Sequence, residues 1–152
     1  MEQKASVLIV DDELGPREAL RMILKPFFDV STAANGKEAL DHIQKEKVDL
    51  ITLDIKMPGL SGIDVLRELR KLGSDAAVVM ITGHGTLTNI HDAIRYGAVD
   101  FVSKPFNVSD IVAIAQRSVA QRNGHQNGEK SSGKSRSVPF WEDQKGNEAL
   151  NT

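Results

Sequence analysis

The chain has 152 residues, 40% of them hydrophobic, with a formal net charge of −2 and no cysteine. That length suits one domain with a proper core plus some tail, the weak acidity gives no support for direct nucleic-acid binding, and disulfides and thiolate-metal sites are excluded. No apolar run approaches the roughly 18 residues of a membrane span, and residues 1–6 lead into a strand without the apolar stretch of a signal peptide, so a soluble, cytoplasmic protein with no membrane partner is expected.

Taken in chain order, the first apolar run, Ser6-Val7-Leu8-Ile9-Val10, reads as a strand at about 6–11 and delivers Asp11-Asp12. Glu13-Leu14-Gly15-Pro16 opens a helix to about Lys25, with Pro16 in the first turn, where its missing N–H costs little. Its expected buried stripe is Ala19, Leu20, Ile23 and Leu24, and Pro26 stops it. A strand at about 29–33 precedes a helix at 36–46 with Ala39, Leu40 and Ile43 inward. The third strand ends at Asp54, just before the breaker Met57-Pro58-Gly59. A helix at about 62–72 buries Ile63, Val65, Leu66 and Leu69, with Gly73 suited to its C-terminal cap. The run Ala77-Val78-Val79-Met80-Ile81 delivers Thr82, ahead of Gly83-His84-Gly85. The helix at about 86–96 turns Leu87, Ile90 and Ile94 inward and stops at Gly97.

The fifth strand ends near Ser103 and is followed by Lys104-Pro105. A last helix at about 107–122 has Val108, Ile111, Val112, Ala115 and Val119 as its core stripe, which leaves Ile114 as apolar surface. Composition breaks near residue 122. Residues 1–122 form the expected domain, and 123–152 a polar, Gly/Ser-rich flexible tail or linker. Four bases there (Lys130, Lys134, Arg136, Lys145) balance four acids (Glu129, Glu142, Asp143, Glu148), so the net charge belongs to residues 1–122. Val138-Pro139-Phe140-Trp141 is the tail's one apolar cluster, too small to build a core.

Short strands separated by helices of about three turns imply βαβ units and a mostly parallel sheet, buried on both faces. Ligands of such sheets sit at the carboxyl ends of the strands. Four runs therefore deliver Asp11 and Asp12, Asp54, Thr82 and Lys104 to one edge. Three converging carboxylates repel one another, and a hard divalent cation such as Mg²⁺ relieves that repulsion. A phosphoryl group on an aspartate needs a metal, hydrogen-bond donors and a cation around its oxygens. Thr82 offers a hydroxyl and Lys104 a point charge, with Asp54 the best nucleophile.

Val10-Asp11-Asp12-Glu13, Leu53-Asp54-Ile55-Lys56-Met57-Pro58-Gly59, Ile81-Thr82-Gly83-His84 and Ser103-Lys104-Pro105-Phe106 resemble the receiver domain of two-component response regulators, in order and spacing over about residues 5–122. The similarity is to chemotaxis-regulator-like receivers and, within the family, to those that precede transcription-activating ATPase modules. It implies a doubly wound five-stranded parallel sheet of order 2-1-3-4-5 flanked by five helices, the flavodoxin-like receiver fold. It also implies that Asp54 takes a phosphoryl group from a histidine kinase or phosphotransfer protein. On the same resemblance Asp12, Asp54 and the backbone carbonyl of Lys56 would ligate Mg²⁺, with Asp11 supporting the ion mainly through water. Thr82 and Lys104 would each bind a phosphoryl oxygen, Phe101 would be the switch aromatic, and the Lys104–Pro105 bond would be cis. Lys56 and His84 would modulate autodephosphorylation. The face made by the fourth helix, fifth strand and fifth helix, with Ile114, would dimerise or bind an effector. The chain would then be a single-domain or truncated regulator rather than a dedicated enzyme.

Two other functions compete. An aspartyl-phosphate small-molecule phosphatase would carry Asp-x-Asp on the loop after the first strand, whereas here the pair is adjacent. A flavin-binding module would want a Ser/Thr/Gly loop at the place where Asp11-Asp12-Glu13 repels phosphate.

Overall fold

The computed structural model of the chain describes residues 3–83 and 87–127. Strands and helices alternate throughout: β1 (Ser6–Val10), α1 (Leu14–Leu24), β2 (Asp29–Ala33), α2 (Gly36–Lys45), β3 (Leu50–Asp54), α3 (Gly62–Lys71), β4 (Ala77–Thr82), α4 (Leu87–Arg95), β5 (Asp100–Ser103) and α5 (Val108–Asn127). The strands form one parallel sheet in the order β2-β1-β3-β4-β5, the doubly wound topology that the sequence implies.

Every residue of the central strands β3 and β4 is buried, which explains their unbroken apolar character. Side chains alternate across a strand, and this splits the core in two. Leu8, Val10, Ile51, Leu53, Val78 and Met80 pack against α2, α3 and α4. Val7, Ile9, Leu50, Val79 and Ile81 pack against α1 and α5. The edge strand β2 is polar and partly exposed, as suits a strand that must not recruit another chain.

The helix termini follow local chemistry. Ser61 caps α3 in a reciprocal box with Asp64: the Ser61 hydroxyl accepts from the Asp64 N–H at 3.2 Å, and the Asp64 carboxylate accepts from the Ser61 N–H at 3.1 Å. The Ser61 N–H, and then the Ser61 hydroxyl, donate to the Asp64 carboxylate and hold its pKa below the ordinary value. Gly73 and Gly97 take positive φ at the ends of α3 and α4. The Arg70 guanidinium gathers the carbonyls at both ends, donating to Tyr96 and Gly97 after α4 and to Ser74 and Ala76 before β4 at 2.9–3.1 Å.

Four expectations about packing are corrected. Ala19 is exposed, because the buried stripe of α1 is narrower and runs through Leu20, Ile23 and Leu24. Val108 is 58% exposed, since the first turn of α5 lies beyond the strands it later covers. Ile114 is partly buried and packs with the core shared by α1 and α5, not on open surface. The inward face of α5 is Ile111, Val112, Ile114, Ala115, Ser118, Val119 and Arg122, at helical spacing.

The fourth correction concerns the end of α5. α5 continues to Asn127, five residues past the expected stop at 122. Arg122 is anchored inward, its Nη1 on Asp49 at 2.7 Å and its Nη2 on Asp75 at 2.9 Å. No proline follows to break the helix, and Gly124 in a helix costs only about 1 kcal/mol. His84, the side chain of Leu87 and the tail from residue 128 lie outside the described residues.

Candidate functional site

The alternation that divides the core also builds the site. Asp11 continues the set Val7, Ile9; Asp54 continues Leu50, Thr52; Lys104 continues Val102. All three leave their strands on the α1/α5 face, at the carboxyl edge. There the Lys104 Nζ lies 3.2 Å from Asp11 Oδ2, 3.6 Å from Asp54 Oδ1 and 4.0 Å from Glu13 Oε1. Asp11, Asp12 and Asp54 each offer a carboxylate oxygen within 4.8 Å of the others. Asp11 and Asp54 are 1% and 4% exposed, while Asp12 faces solvent.

Electrostatics follow from this crowding. Burial, then the neighbouring Asp11 charge, pushes the Asp54 carboxyl from its ordinary 3.8 up to about 6; Lys104 opposes the rise and Asp12 adds to it. Burial alone would lower the Lys104 ammonium, but Asp54, Asp11 and Glu13 outweigh it and raise it above its usual value. One lysine against three acids leaves the centre negative. Oxygen donors, partial burial and excess negative charge together fit a hard divalent cation.

Thr82 and Phe101 fall on the opposite alternation, with Val78 and Met80, and Phe101 packs against the core that contains α3 and α4. Thr82 is buried at the end of β4, one residue beyond Ile81, which pairs with Asp54. Its carbonyl accepts from the Lys104 N–H at 2.8 Å. The structure thus brings Asp11, Asp12, Asp54 and Lys104 into one cluster and sets Thr82 on the adjoining strand end. The Lys104–Pro105 bond is cis. The exposed Lys56 side chain lines a groove with Met57, Ser61, Asp64, Arg67 and Asp92.

Two residues not foreseen from the sequence shape this edge. A Cβ at Gly62 would stand 2.2 Å from the Asp54 carbonyl oxygen and 2.8 Å from Ile55 Cα. The start of α3 therefore packs directly on the backbone that carries Asp54, and the Gly62 N–H donates to Ile55 O at 2.8 Å. The second is Arg17, whose Nη1 donates to the Asp11 carbonyl at 2.9 Å. A glycine right after the breaker, at the first turn of a helix, was a usable signal for Gly62. Arg17 offered none, since a charged residue in the second turn of a helix is ordinary.

A doubly wound sheet with an acidic cluster and a lysine at its carboxyl edge defines a class of phosphoryl-accepting signalling domain. Residues 7–116 match the response regulator receiver domain, and the chain belongs to that family. It is 37% identical over 106 residues to Sporulation initiation phosphotransferase F of Bacillus subtilis (strain 168), covering 69% of this chain and 86% of the relative. It is 38% identical over 108 residues to Chemotaxis protein CheY of Thermotoga maritima, covering 70% and 90%. The solved receiver domain protein (CheY-like) from Methanospirillum hungatei JF-1 superposes with a TM-score of 0.78 at 27% identity, over 81% of this chain and 99% of that one. Other curated relatives are longer, and the match spans about half or less of their length.

Proposed function

We propose that this receiver is phosphorylated on Asp54 by a histidine kinase or a phosphotransfer protein, and that the resulting acyl phosphate switches its contacts with a partner. The observation that carries the reading is the Lys104 ammonium 3.2 Å from Asp11 and 3.6 Å from Asp54, beside three carboxylates with oxygens within 4.8 Å of one another. The Asp54 oxygen attacks phosphorus as the donor's nitrogen–phosphorus bond breaks, so a phosphohistidine and a carboxylate become a histidine and an aspartyl phosphate. Asp12, Asp54 and the Lys56 carbonyl would hold Mg²⁺, with Asp11 supporting it mainly through water. When bound, that ion supplies charge neutralisation for the transferring group. Lys104 pairs with one phosphoryl oxygen and the Thr82 hydroxyl donates to another. Burial of Asp54 keeps bulk water from competing.

Drawing Thr82 toward the phosphoryl group opens room on the α4 face of the sheet, where Phe101 packs; this is the switch. Lys56 and His84, two residues beyond Asp54 and Thr82 in the sequence, set the lifetime of the phosphoryl group. The output is a change of protein contacts on the α4/β5/α5 face, by a homodimer or an effector. Ile114, half-buried against the core under α1 and α5, would offer that face only the part of its side chain left exposed. The chain acts as a switch, not a dedicated enzyme, and a cytoplasmic location goes with that role. Among the described residues no helix is long and apolar enough to cross a membrane.

The phosphatase reading would need its nucleophile on the loop after β1. There Asp11 has Oδ1 bonded to the Glu13 N–H at 2.9 Å and Oδ2 to Lys104 at 3.2 Å. The buried carboxylate with a raised pKa is on β3 instead. Intact-protein mass spectrometry after incubation with a small phosphodonor and Mg²⁺ separates the two. A single added phosphoryl group on the wild type, absent in Asp54→Asn, is expected. Turnover of many phosphoesters with no modification of Asp54 would overturn the reading.

A further inference from the structure

The loop between β1 and α1 carries two of the three carboxylates, yet it lacks the usual means of fixing a helix entry. Glu13, at the N-cap position, makes no side-chain capping bond, and the first turn of α1 has no acidic residue. Bonds to Asp11 hold the turn instead. Its N–H donates to Ala33 O at 3.2 Å, its Oδ1 accepts from the Glu13 N–H at 2.9 Å and its Oδ2 accepts from Lys104 Nζ at 3.2 Å. Its carbonyl accepts from Arg17 Nη1 at 2.9 Å. Asp12, by contrast, is exposed, and among the described residues no hydrogen bond holds its carboxylate.

We infer that Arg17 is a positioning residue for Asp12. The peptide unit is planar, so the direction of the Asp11 carbonyl also sets the plane in which the Asp12 N and Cα lie. With both Asp11 carboxylate oxygens clamped and its carbonyl tied to α1, Asp12 leaves the turn in one direction. That direction brings a carboxylate oxygen within 4.8 Å of Asp11 and Asp54. Arg17 touches neither the cation position nor the reacting atoms. It acts on the site through one peptide bond, from a half-buried place on the second turn of α1. The inference rests on the cation-dependent reading of the site proposed above.

The sign of one measurement decides it. Arg17 is also a positive charge beside an acidic cluster, and as a charge alone it opposes binding of a second cation. Removing it would then tighten Mg²⁺ binding. If Arg17 positions Asp12, removing it weakens binding. If it only stabilises the fold, the affinity of the folded protein does not change.

The full chain, titrated with Mg²⁺ by isothermal calorimetry at neutral pH and well below its unfolding transition, gives the answer. Arg17→Met is expected to bind roughly tenfold more weakly, the lower end of what outer partners of metal ligands contribute. Arg17→Lys, which keeps one donor, should lie between wild type and Met. Equal or tighter binding by Arg17→Met overturns the inference. If that variant does not fold by circular dichroism, Arg17→Lys decides: weaker binding than wild type supports the inference, and equal or tighter binding overturns it. Failure of the wild type itself to bind Mg²⁺ at millimolar concentration strikes the cation reading of the site instead.

Discussion

Neutralising Asp54 should stabilise the metal-free protein, even though it removes the residue on which the proposed function depends. In the folded chain the Asp54 carboxyl is pushed from 3.8 to about 6, first by burial and then by Asp11. An acid whose folded pKa lies above its unfolded value keeps its proton longer in the native state. Between about pH 4 and pH 6 the native state therefore binds more protons than the unfolded one, and stability falls as pH rises through that window. At ~1.4 kcal/mol per pH unit the full loss at pH 7.5 is about 3 kcal/mol. Asp54→Asn escapes it. The expected gain is about 1–3 kcal/mol, with the full loss as its upper bound, and that figure already contains the favourable 3.6 Å pairing with Lys104. In thermal terms that is roughly a 4–10 °C rise in Tm for a domain of this size. Well below pH 3.8 Asp54 is protonated in both states and the difference should vanish. Saturating Mg²⁺ should stabilise the wild type by mass action and narrow the gap. Urea denaturation of both proteins in chelator, at about pH 3 and at about pH 7.5, with a repeat in Mg²⁺ at the higher pH, tests each arm. An Asp54→Asn protein no more stable than wild type at pH 7.5 in chelator would refute the picture of a strained, negative site.

Two further outcomes follow from single residues. The Thr52 hydroxyl is buried without a hydrogen-bond partner, so Thr52→Val, which keeps the shape and removes the orphan group, should raise stability by about 1 kcal/mol. A lowered urea midpoint for this variant would show that the hydroxyl has a partner, such as an internal water. Gly62→Ala places a methyl 2.2 Å from the Asp54 carbonyl, which is backbone and cannot swing aside. It should cost about 1–3 kcal/mol and slow modification of Asp54 by a small phosphodonor, followed by mass spectrometry at a temperature where the variant is fully folded. Unchanged kinetics would mean that α3 shifts without disturbing Asp54.

The sheet and its charged edge were legible because strands buried on both faces must read as apolar runs, and a polar residue ending such a run has few other places to go. Asp54 after Ile51-Thr52-Leu53 and Lys104 after Phe101-Val102-Ser103 are of this kind. Helix phase was less legible. Ala19 and Ile114 sit at stripe boundaries, where a rotation of one residue about the helix axis changes which side faces the sheet, and pattern alone does not fix that rotation. The end of α5 was misplaced for a different reason. Arg122 looked like the last charge before a polar linker, but it is held inward by Asp49 and Asp75, which lie on distant loops. Gly62 and Arg17 matter through backbone atoms of other residues, a kind of contact that leaves little trace in side-chain patterning.

The parity of the strand residues bears on how a phosphoryl group at one face of the sheet can be felt at the other. Asp11, Asp54 and Lys104 alternate with the core under α1 and α5, while Thr82 and Phe101 alternate with the core under α3 and α4. The two sets meet at the strand ends, where the Lys104 N–H is bonded to the Thr82 carbonyl at 2.8 Å. A group that draws the Lys104 ammonium and the Thr82 hydroxyl toward Asp54 therefore pulls on both faces at once. Arg70 limits where the second face can respond, because it ties the C-terminal end of α4, through Tyr96 and Gly97, to the loop before β4. With that end fixed, any response of α4 to the proposed chemistry must come from the rest of the helix.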